Sequence, residues 1–276
     1  MAVLIRLLLV IPVTGLFVSC AQAPVREPGA WIVSAGLDYL NSDVPTLNGT
    51  VDDAAEVAMC LKSIYEAKGI RVGITLMTAS GQDCDTSDPL YPTAENILAR
   101  LWEIKPGPQD IFVFYWSGHG DVDEKGLFLA AAATQGLSYS KLYTQDIIDV
   151  VRSMGCPAVL LVDSCYSGAT LTQDGRIAVI ASCRAQERSV MTHVRTEEGI
   201  VEGHSLFTSV LLECLGWVHG TENQGNLGAV PVYGRLARVP DRTSVQELAD
   251  QIRKRIPESI QSPVFDRTDL PVLIVP

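Results

Sequence analysis

The chain has 276 residues, of which 47% are hydrophobic, and it carries a formal net charge of −11. Its 32 acidic residues outnumber its 21 lysines and arginines, so it lacks the basic surface that nucleic-acid binding requires, and nucleic acid is excluded as a partner. An acidic protein suits a cationic substrate, although acidity also keeps many exported proteins soluble.

The first twenty residues predict an export signal. Arg6 precedes a short apolar segment that begins at residue 7 and is too short to span a bilayer. Residues 16–20 resemble a bacterial lipobox, which would place a lipid on Cys20; ordinary cleavage after residue 23 is the alternative. Either route exports the chain from a bacterial cytoplasm, as an anchored lipoprotein, a periplasmic protein or a secreted one. We expect membrane contact only through such an anchor.

The rest of the chain predicts a linker over residues 21–29 and one α/β domain over residues 30–276. Strands and helices alternate in the way that builds a mostly parallel sheet with helices on both faces. The predicted strands lie near residues 31–35, 72–77, 111–116, 158–162, 178–183 and 270–275. The predicted helices cover residues 51–67, 93–105, 143–154 and 205–217, and a last one begins at residue 244. Residues 184–203 and 220–242 are predicted as long loops.

Two of the apolar strands end in turns that carry reactive side chains. Residues 111–116 lead into Ser-Gly-His-Gly, which contains His119, and residues 158–162 lead into Asp-Ser-Cys-Tyr-Ser-Gly, which contains Cys165. In an open α/β sheet, sites form at the C-terminal ends of the strands. We therefore expect the imidazole and the thiol to lie side by side.

This pair has the chemistry of nucleophilic catalysis. The thiolate of Cys165 would be the nucleophile, and His119 would carry the proton during acyl transfer. The backbone amides of Gly120 and Cys165 would bind the oxyanion of the tetrahedral intermediate. Taken singly, Cys165 could be an inert buried cysteine and His119 a packed or capping histidine.

The two motifs resemble those of the caspase and metacaspase clan, and most closely those of bacterial metacaspase-type (orthocaspase) proteins. The spacing between them is close to the roughly 50 residues typical of caspases. Further segments that resemble the family are residues 31–39, 47–54, 178–183, 203–208 and 261–275. The resemblance implies a caspase-like fold, with a central sheet of about six strands. It also implies a cysteine endopeptidase that uses a Cys–His dyad and an acyl-enzyme.

The resemblance also implies a specificity for basic residues. Caspases carry glutamine two residues before the cysteine, whereas this chain has Asp163, as metacaspases do. In that family the matching aspartate and a second one, here Asp53, line the pocket for the residue before the cut bond. The expected partner is thus a protein or peptide that is cut after Arg or Lys. The alternatives are a turn-capping role for Asp163 and a helix N-terminal role for Asp53, whose neighbour Asp52 could also take its place.

No metal or cofactor is predicted. Many metacaspases carry a calcium site in an acidic insert after the histidine, but here residues 126–130 follow almost at once. Residues 121–126 mimic half of an EF-hand loop, yet Lys125 and Ala132 occupy ligand positions, so a solvated turn is expected and calcium activation is not supported. The cysteines show no metal-binding spacing. One or two disulfides among them, or buried free thiols, both remain open.

Two further questions concern activity and processing. A catalytically silent caspase-fold module for binding or assembly is the alternative function, although such homologues usually lose the histidine or the cysteine. A serine hydrolase is excluded because no Gly-x-Ser-x-Gly motif is present.

The polar loop over residues 184–203 is a predicted site of self-cleavage, after Arg188 or Arg195, with an uncut chain as the alternative. We expect a monomer.

Overall fold

Strands and helices alternate along the chain. The structure is a computed structural model that describes residues 27–40, 42–80, 85–133, 138–170, 172, 174–195, 201–218, 234–267 and 273–276. The strands are β1 (Gly29–Leu37), β2 (Arg71–Ala79), β3 (Ile111–Ser117), β4 (Gly120–Asp123), β5 (Gly126–Ala131), β6 (Ser140–Tyr143), β7 (Ala158–Asp163), β8 (Ile177–Ala181), β9 (Met191–Arg195), β10 (Val201–Ser205), β11 (Trp217–Val218), β12 (Arg235–Leu236), β13 (Thr243–Ser244), β14 (Val264–Asp266) and β15 (Leu273–Val275). The helices are α1 (Thr50–Ala67), α2 (Ala94–Glu103), α3 (Thr144–Met154), α4 (Leu206–Cys214) and α5 (Val245–Arg255).

Six strands form the central sheet, in the order β14-β8-β7-β3-β1-β2. Every neighbouring pair is parallel except β14, which runs antiparallel to β8. Strands β3 and β7 lie inside the sheet and are almost entirely buried, as their continuous apolar sequences require. The prediction of a mostly parallel sheet of about six strands is confirmed.

Helices cover both faces of this sheet, which is also as predicted. On one face α1, α4 and α5 pack together around the buried side chains of Leu61, Phe207 and Ile252. On the other face α2 and α3 cover a second core that contains Leu101, Phe114, Ile148 and Leu160. The two apolar layers hold the sheet rigid, so the turns at its C-terminal edge have a fixed support.

The structure differs from the prediction in several places. The predicted helix over residues 205–217 ends at Cys214, and the predicted loop over residues 220–242 contains β12. Part of the predicted loop over residues 184–203 is ordered as the antiparallel pair β9 and β10, in which polar and apolar residues alternate too weakly to signal a strand. The predicted last strand is β15, which pairs with β13 and not with the central sheet. One edge of the central sheet is formed by β14, which was not predicted because its three residues are too few to give a period.

The turn before α1 packs directly on β10. Gly49 has φ +87°, and a Cβ atom built on it would lie 1.3 Å from the carbonyl oxygen of Gly203. A Cβ atom on Gly203 would in turn lie 2.8 Å from the carbonyl oxygen of Asn48. Only two glycines allow the two backbones to approach so closely. This contact fixes the start of α1 beneath β10.

Replacing Gly49 with alanine should therefore destabilise the protein. The new methyl group meets backbone, which cannot turn away, and the left-handed conformation adds its own penalty. We expect the free energy of unfolding in urea to fall by at least about 2 kcal/mol. Gly69→Ala is the matched control, because Gly69 has φ +73° but open space around it. That variant should lose only about 1 kcal/mol; equal losses in the two variants would contradict the steric explanation.

Candidate active site

The His119 and Cys165 turns leave adjacent strands at the same edge of the central sheet. Ser117, the last residue of β3, is in register with Asp163, the last residue of β7. Beyond that pair, a Cβ atom built on Gly120 would lie 2.6 Å from Ser164 Oγ and 2.8 Å from the carbonyl oxygen of Cys165. The glycine after the histidine thus lets the two turns touch, and it places the predicted residue Gly120 against the backbone of Cys165.

The imidazole of His119 is oriented by two residues that the sequence did not indicate. The backbone N–H of His119 donates to Tyr39 Oη at 2.9 Å, and the two rings contact each other with centroids 4.7 Å apart. His119 Nε2 lies 2.6 Å from the carbonyl oxygen of Pro45. A carbonyl only accepts hydrogen bonds, so Nε2 carries the proton in this arrangement and Nδ1 of the neutral ring is left as the acceptor.

Tyr39 itself is held in place by its backbone and its hydroxyl. It has φ +62°, which is uncommon for a residue other than glycine, and its Oη donates to the carbonyl oxygen of Ala130 at 2.7 Å. Burial raises its pKa, so it remains a neutral phenol. Tyr39 therefore links the first strand, the histidine turn and the middle strand of the small sheet β4-β5-β6.

The thiol of Cys165 is free and partly buried. Burial raises its pKa, and this outweighs the backbone hydrogen bond of Ser189 and the positive charge of Arg188, which both lower it. A thiol of raised pKa is mostly protonated at neutral pH. Cys165 thus depends on a neighbouring base to become a nucleophile.

The turn around Cys165 is supported by the end of β8. Ser182 Oγ and Cys183 Sγ both bond to the carbonyl oxygen of Ser164, at 3.2 and 3.3 Å. Tyr166, next to the nucleophile, has φ +61°, and its N–H donates to the carbonyl oxygen of Glu187. The described cysteines other than Cys165 are buried free thiols, namely Cys60, Cys156, Cys183 and Cys214. The sequence left open whether the cysteines form disulfides or are buried free thiols, and these four are buried free thiols.

The carboxylate of Asp163 is buried and accepts two side-chain hydrogen bonds. Its residue is 3% exposed; Oδ1 accepts from Ser189 Oγ at 2.8 Å, and Oδ2 accepts from Thr208 Oγ1 at 2.6 Å. Thr208 Oγ1 also lies 2.6 Å from Tyr115 Oη. Burial is the main cause and raises the pKa of Asp163, although the hydroxyl groups around the carboxylate oppose the increase.

Asp53 lies in the same buried polar region. It is fully buried; Oδ2 accepts from Ser117 Oγ at 3.2 Å and from the Ser205 N–H at 3.1 Å. Burial is the main cause that raises its pKa to about 6; the Asp163 charge adds to the increase, and His204 opposes it. The structure therefore places the two predicted carboxylates close enough to influence each other.

His204 completes this region. It lies on β10 with its side chain 13% exposed, and Nδ1 is 2.8 Å from Asp53 Oδ1. Burial opposes its protonation, yet the hydrogen bond to Asp53 and the surrounding acidic charges outweigh burial and raise its pKa. No local pattern could show a contact between residues 151 positions apart.

The remaining predicted residues lie in different places. Arg188 lies on the segment between Cys183 and β9, where the hydrogen bond to the Tyr166 side chain raises its pKa. Arg195 is the last residue of β9. Cys20 lies outside the described residues. Among the described helices, none combines the length and the apolar character needed to cross a bilayer.

The acidic turn after His119 is the tip of the β4–β5 hairpin. Asp123 Oδ2 accepts from Lys141 Nζ at 2.7 Å and from Tyr143 Oη at 3.0 Å, and Oδ1 accepts from the Lys125 N–H at 2.9 Å. The Lys141 and Lys125 hydrogen bonds lower the pKa of Asp123 to about 2. Within the described ranges, no three His, Cys, Asp or Glu side chains are grouped to hold a metal ion.

Comparison with known proteins identifies the family of this domain. The family described as metacaspase, peptidase C14 domain, matches residues 32–174, slightly more than half of the chain. The matched segment contains both His119 and Cys165, together with Asp53 and Asp163. A search of curated proteins finds no significant match.

Proposed function

This chain belongs to the metacaspase, peptidase C14, family and is a cysteine-type endopeptidase, and from that premise we propose that Cys165 and His119 are its catalytic dyad and that it cuts after Arg or Lys. The observation that supports the dyad is the contact between the two turns, in which Gly120 lies against the backbone of Cys165. The observation that supports the specificity is the pair of neighbouring carboxylates, Asp53 and Asp163.

In the proposed reaction, His119 takes the proton of the Cys165 thiol, and the resulting thiolate attacks the carbonyl carbon of the bond to be cut. The N–H groups of Gly120 and Cys165 bind the negative oxygen of the tetrahedral intermediate. His119 then gives its proton to the leaving amine, and a thioester joins the acyl group to Cys165. Finally, His119 takes a proton from water, the hydroxide attacks the thioester, and the free acid and the Cys165 thiol are regenerated.

The orientation of His119 supports a dyad without a third carboxylate. Its Nε2–H is directed at the carbonyl oxygen of Pro45, and its backbone is bound by Tyr39. With Nε2 fixed as the donor, Nδ1 is the nitrogen that can accept the thiol proton. Pro45 and Tyr39 are therefore positioning residues in this proposal, and they need not touch the substrate.

The specificity is explained by electrostatics in the buried polar region. Two carboxylates close together repel each other, and burial adds to the cost of ionising both. A substrate cation that enters between them relieves this cost, whereas an acidic side chain would increase it. An Arg guanidinium can bond a carboxylate through two parallel N–H groups, which favours Arg over Lys.

Calcium is not required in this proposal. The carboxylate of Asp123 already accepts hydrogen bonds from Lys141, Tyr143 and the Lys125 amide. These donors and the Lys141 charge surround it, whereas a calcium ion would need oxygen acceptors there. Export, and lipid attachment at Cys20, concern residues that the structure does not describe, and they stay predictions.

The proposed specificity is tested with matched fluorogenic peptides that end in Arg, Lys or Asp before the reporter group. We expect kcat/KM to decrease in the order Arg, Lys, Asp, with the Asp peptide at least about 100-fold below the Arg peptide because its charge is repelled in the pocket. Alkylation of the thiol should stop all cleavage. Best cleavage of the Asp peptide, or activity that survives alkylation, would contradict the proposal.

A further inference from the structure

An internal histidine occupies one of the two carboxylates that the proposed function assigns to the substrate. His204 Nδ1 lies 2.8 Å from Asp53 Oδ1, which leaves Oδ2 to the hydroxyl of Ser117 and the amide of Ser205. Asp53 is fully buried and the His204 side chain is only 13% exposed. A substrate cation that is to meet Asp53 through Oδ1 must therefore replace this imidazole.

The position of His204 is set by backbone contacts that do not involve its ring. His204 pairs with Thr192 across the β9–β10 ladder, and Thr192 Oγ1 donates to the His204 carbonyl oxygen at 3.0 Å. On its other side, Gly203 packs on Asn48 at the turn before α1. These contacts hold β10 in place independently of the bond between the imidazole and Asp53.

Within the part of the chain that the structure describes, the charged groups identified as acting on His204 are acidic. Asp53, Asp52 and Glu56 of α1 all act on its imidazole and favour the protonated form. Asp163 of β7 acts on Asp53 and so belongs to the same group of charges. From β9, the residue opposite His204 is the uncharged Thr192.

We propose that His204 is a specificity-determining residue that competes with the basic side chain of the substrate for Asp53. The inference rests on the proposed function, because it takes Asp53 and Asp163 as the pocket for Arg or Lys. When His204 is protonated, it pairs with Asp53 as a substrate cation would, and the pocket is closed to basic residues. When His204 is neutral, it holds Asp53 through a weaker hydrogen bond, and a guanidinium replaces it.

The sign of the pH dependence follows from this competition. The pKa of His204 is raised, so the imidazolium persists to a higher pH than in a free histidine, and it is lost as the pH rises through that pKa. Affinity for a basic ligand should therefore increase over this range and then stay constant. Protonation of Asp53, whose pKa is about 6, also weakens the binding of a basic ligand at acidic pH. This second effect does not involve the titration of His204.

The experiment measures the binding of benzamidine, a cationic mimic of the arginine side chain, to the Cys165→Ala protein by calorimetry from about pH 5.5 to about pH 9. If one proton leaves His204 for each ligand bound, Kd decreases by up to about tenfold for each unit by which the pH rises, as long as the pH is below the His204 pKa. Adding His204→Gln, or His204→Ala, should tighten binding about five- to tenfold near pH 6 and leave only the part due to Asp53.

Thr192→Ala is the matched control, because it removes one hydrogen bond to the His204 backbone but keeps the β9–β10 ladder, the packing of Gly203 on Asn48 and the imidazole itself. It should keep the pH dependence of the parent protein. Binding that keeps this dependence in both His204 variants, or that weakens at every pH, would overturn the proposal, since His204 would then support Asp53 and not compete for it.

A second comparison separates this proposal from the function on which it rests. Asp163→Asn should greatly weaken benzamidine binding if the ligand lies between the two carboxylates. Unchanged binding in that variant would contradict the proposed pocket, and with it the role of His204. Loss of binding there, together with an unaltered pH dependence in His204→Gln, would contradict the role of His204 alone.

Discussion

Cys165→Ala and His119→Ala are each expected to abolish peptidase activity without unfolding the protein. Nucleophile and proton carrier act as a unit, so removing either should lower kcat by at least about 1,000-fold. Folding should survive because Cys165 lies in a turn supported from β8, and because the partly exposed His119 ring contributes little to either core. Peptide hydrolysis and thermal unfolding, measured on the same preparations, give the two readouts.

The control for this prediction is Cys156→Ala. Cys156 is also a free thiol, but it is buried just before β7, at the opposite end of that strand from Cys165. It should keep wild-type activity, whereas the Cys165 variant should have none. Activity of the Cys165 or His119 variant within about tenfold of wild type, which is only 1.4 kcal/mol in the barrier, would disprove the proposed dyad.

Asp163→Asn is expected to remove the preference for basic peptides. The substitution keeps the shape of the side chain and one oxygen acceptor for Ser189 or Thr208, but it removes the charge that would pair with the substrate. A hydrogen bond to a charged group contributes about 1.5–3 kcal/mol, so kcat/KM for Arg peptides should decrease about 10- to 100-fold. Peptides with norleucine in place of Arg should be affected much less, and the ratio of the two values is the measurement.

Thr208→Val serves as the comparison for Asp163→Asn. It removes one hydrogen bond to the carboxylate and leaves the charge, so the preference for Arg should decrease less. The same ratio of Arg to norleucine cleavage in wild type and Asp163→Asn would show that Asp163 only supports the turn. The stability of Asp163→Asn should also be checked by urea unfolding, because Asp163 is buried and accepts hydrogen bonds from two hydroxyl groups.

The sequence predicted the features that depend on local patterns. The continuous apolar stretches of β3 and β7 predicted buried parallel strands, and these strands are adjacent, so the turns that carry His119 and Cys165 leave the same edge of the sheet. The start of the last helix, predicted at residue 244, is also set locally: Ser244 caps α5, and both hydrogen bonds of its capping box with Glu247 are present.

The contacts that complete the site could not be predicted in the same way. The bond between His119 and Pro45 spans 74 positions, and that between Asp53 and His204 spans 151, so neither leaves a periodic signal. His204 also lies on a strand with weak alternation, which removed the only local indication of its direction. Such pairs are decided by tertiary packing after the elements have formed.

Two partners of the buried carboxylates, Thr208 and His204, lie on the far side of the segment in which self-cleavage was predicted. A cut after Arg188 or Arg195 would leave the dyad with Asp53 and Asp163 on the first fragment, and Thr208 and His204 on the second. The fragments would still share the β8–β14 pairing and the apolar core between α1, α4 and α5. The nicked protein should consequently migrate as one particle under native conditions and as two under denaturing ones, with its reactive chemistry on one piece and part of its substrate selectivity on the other.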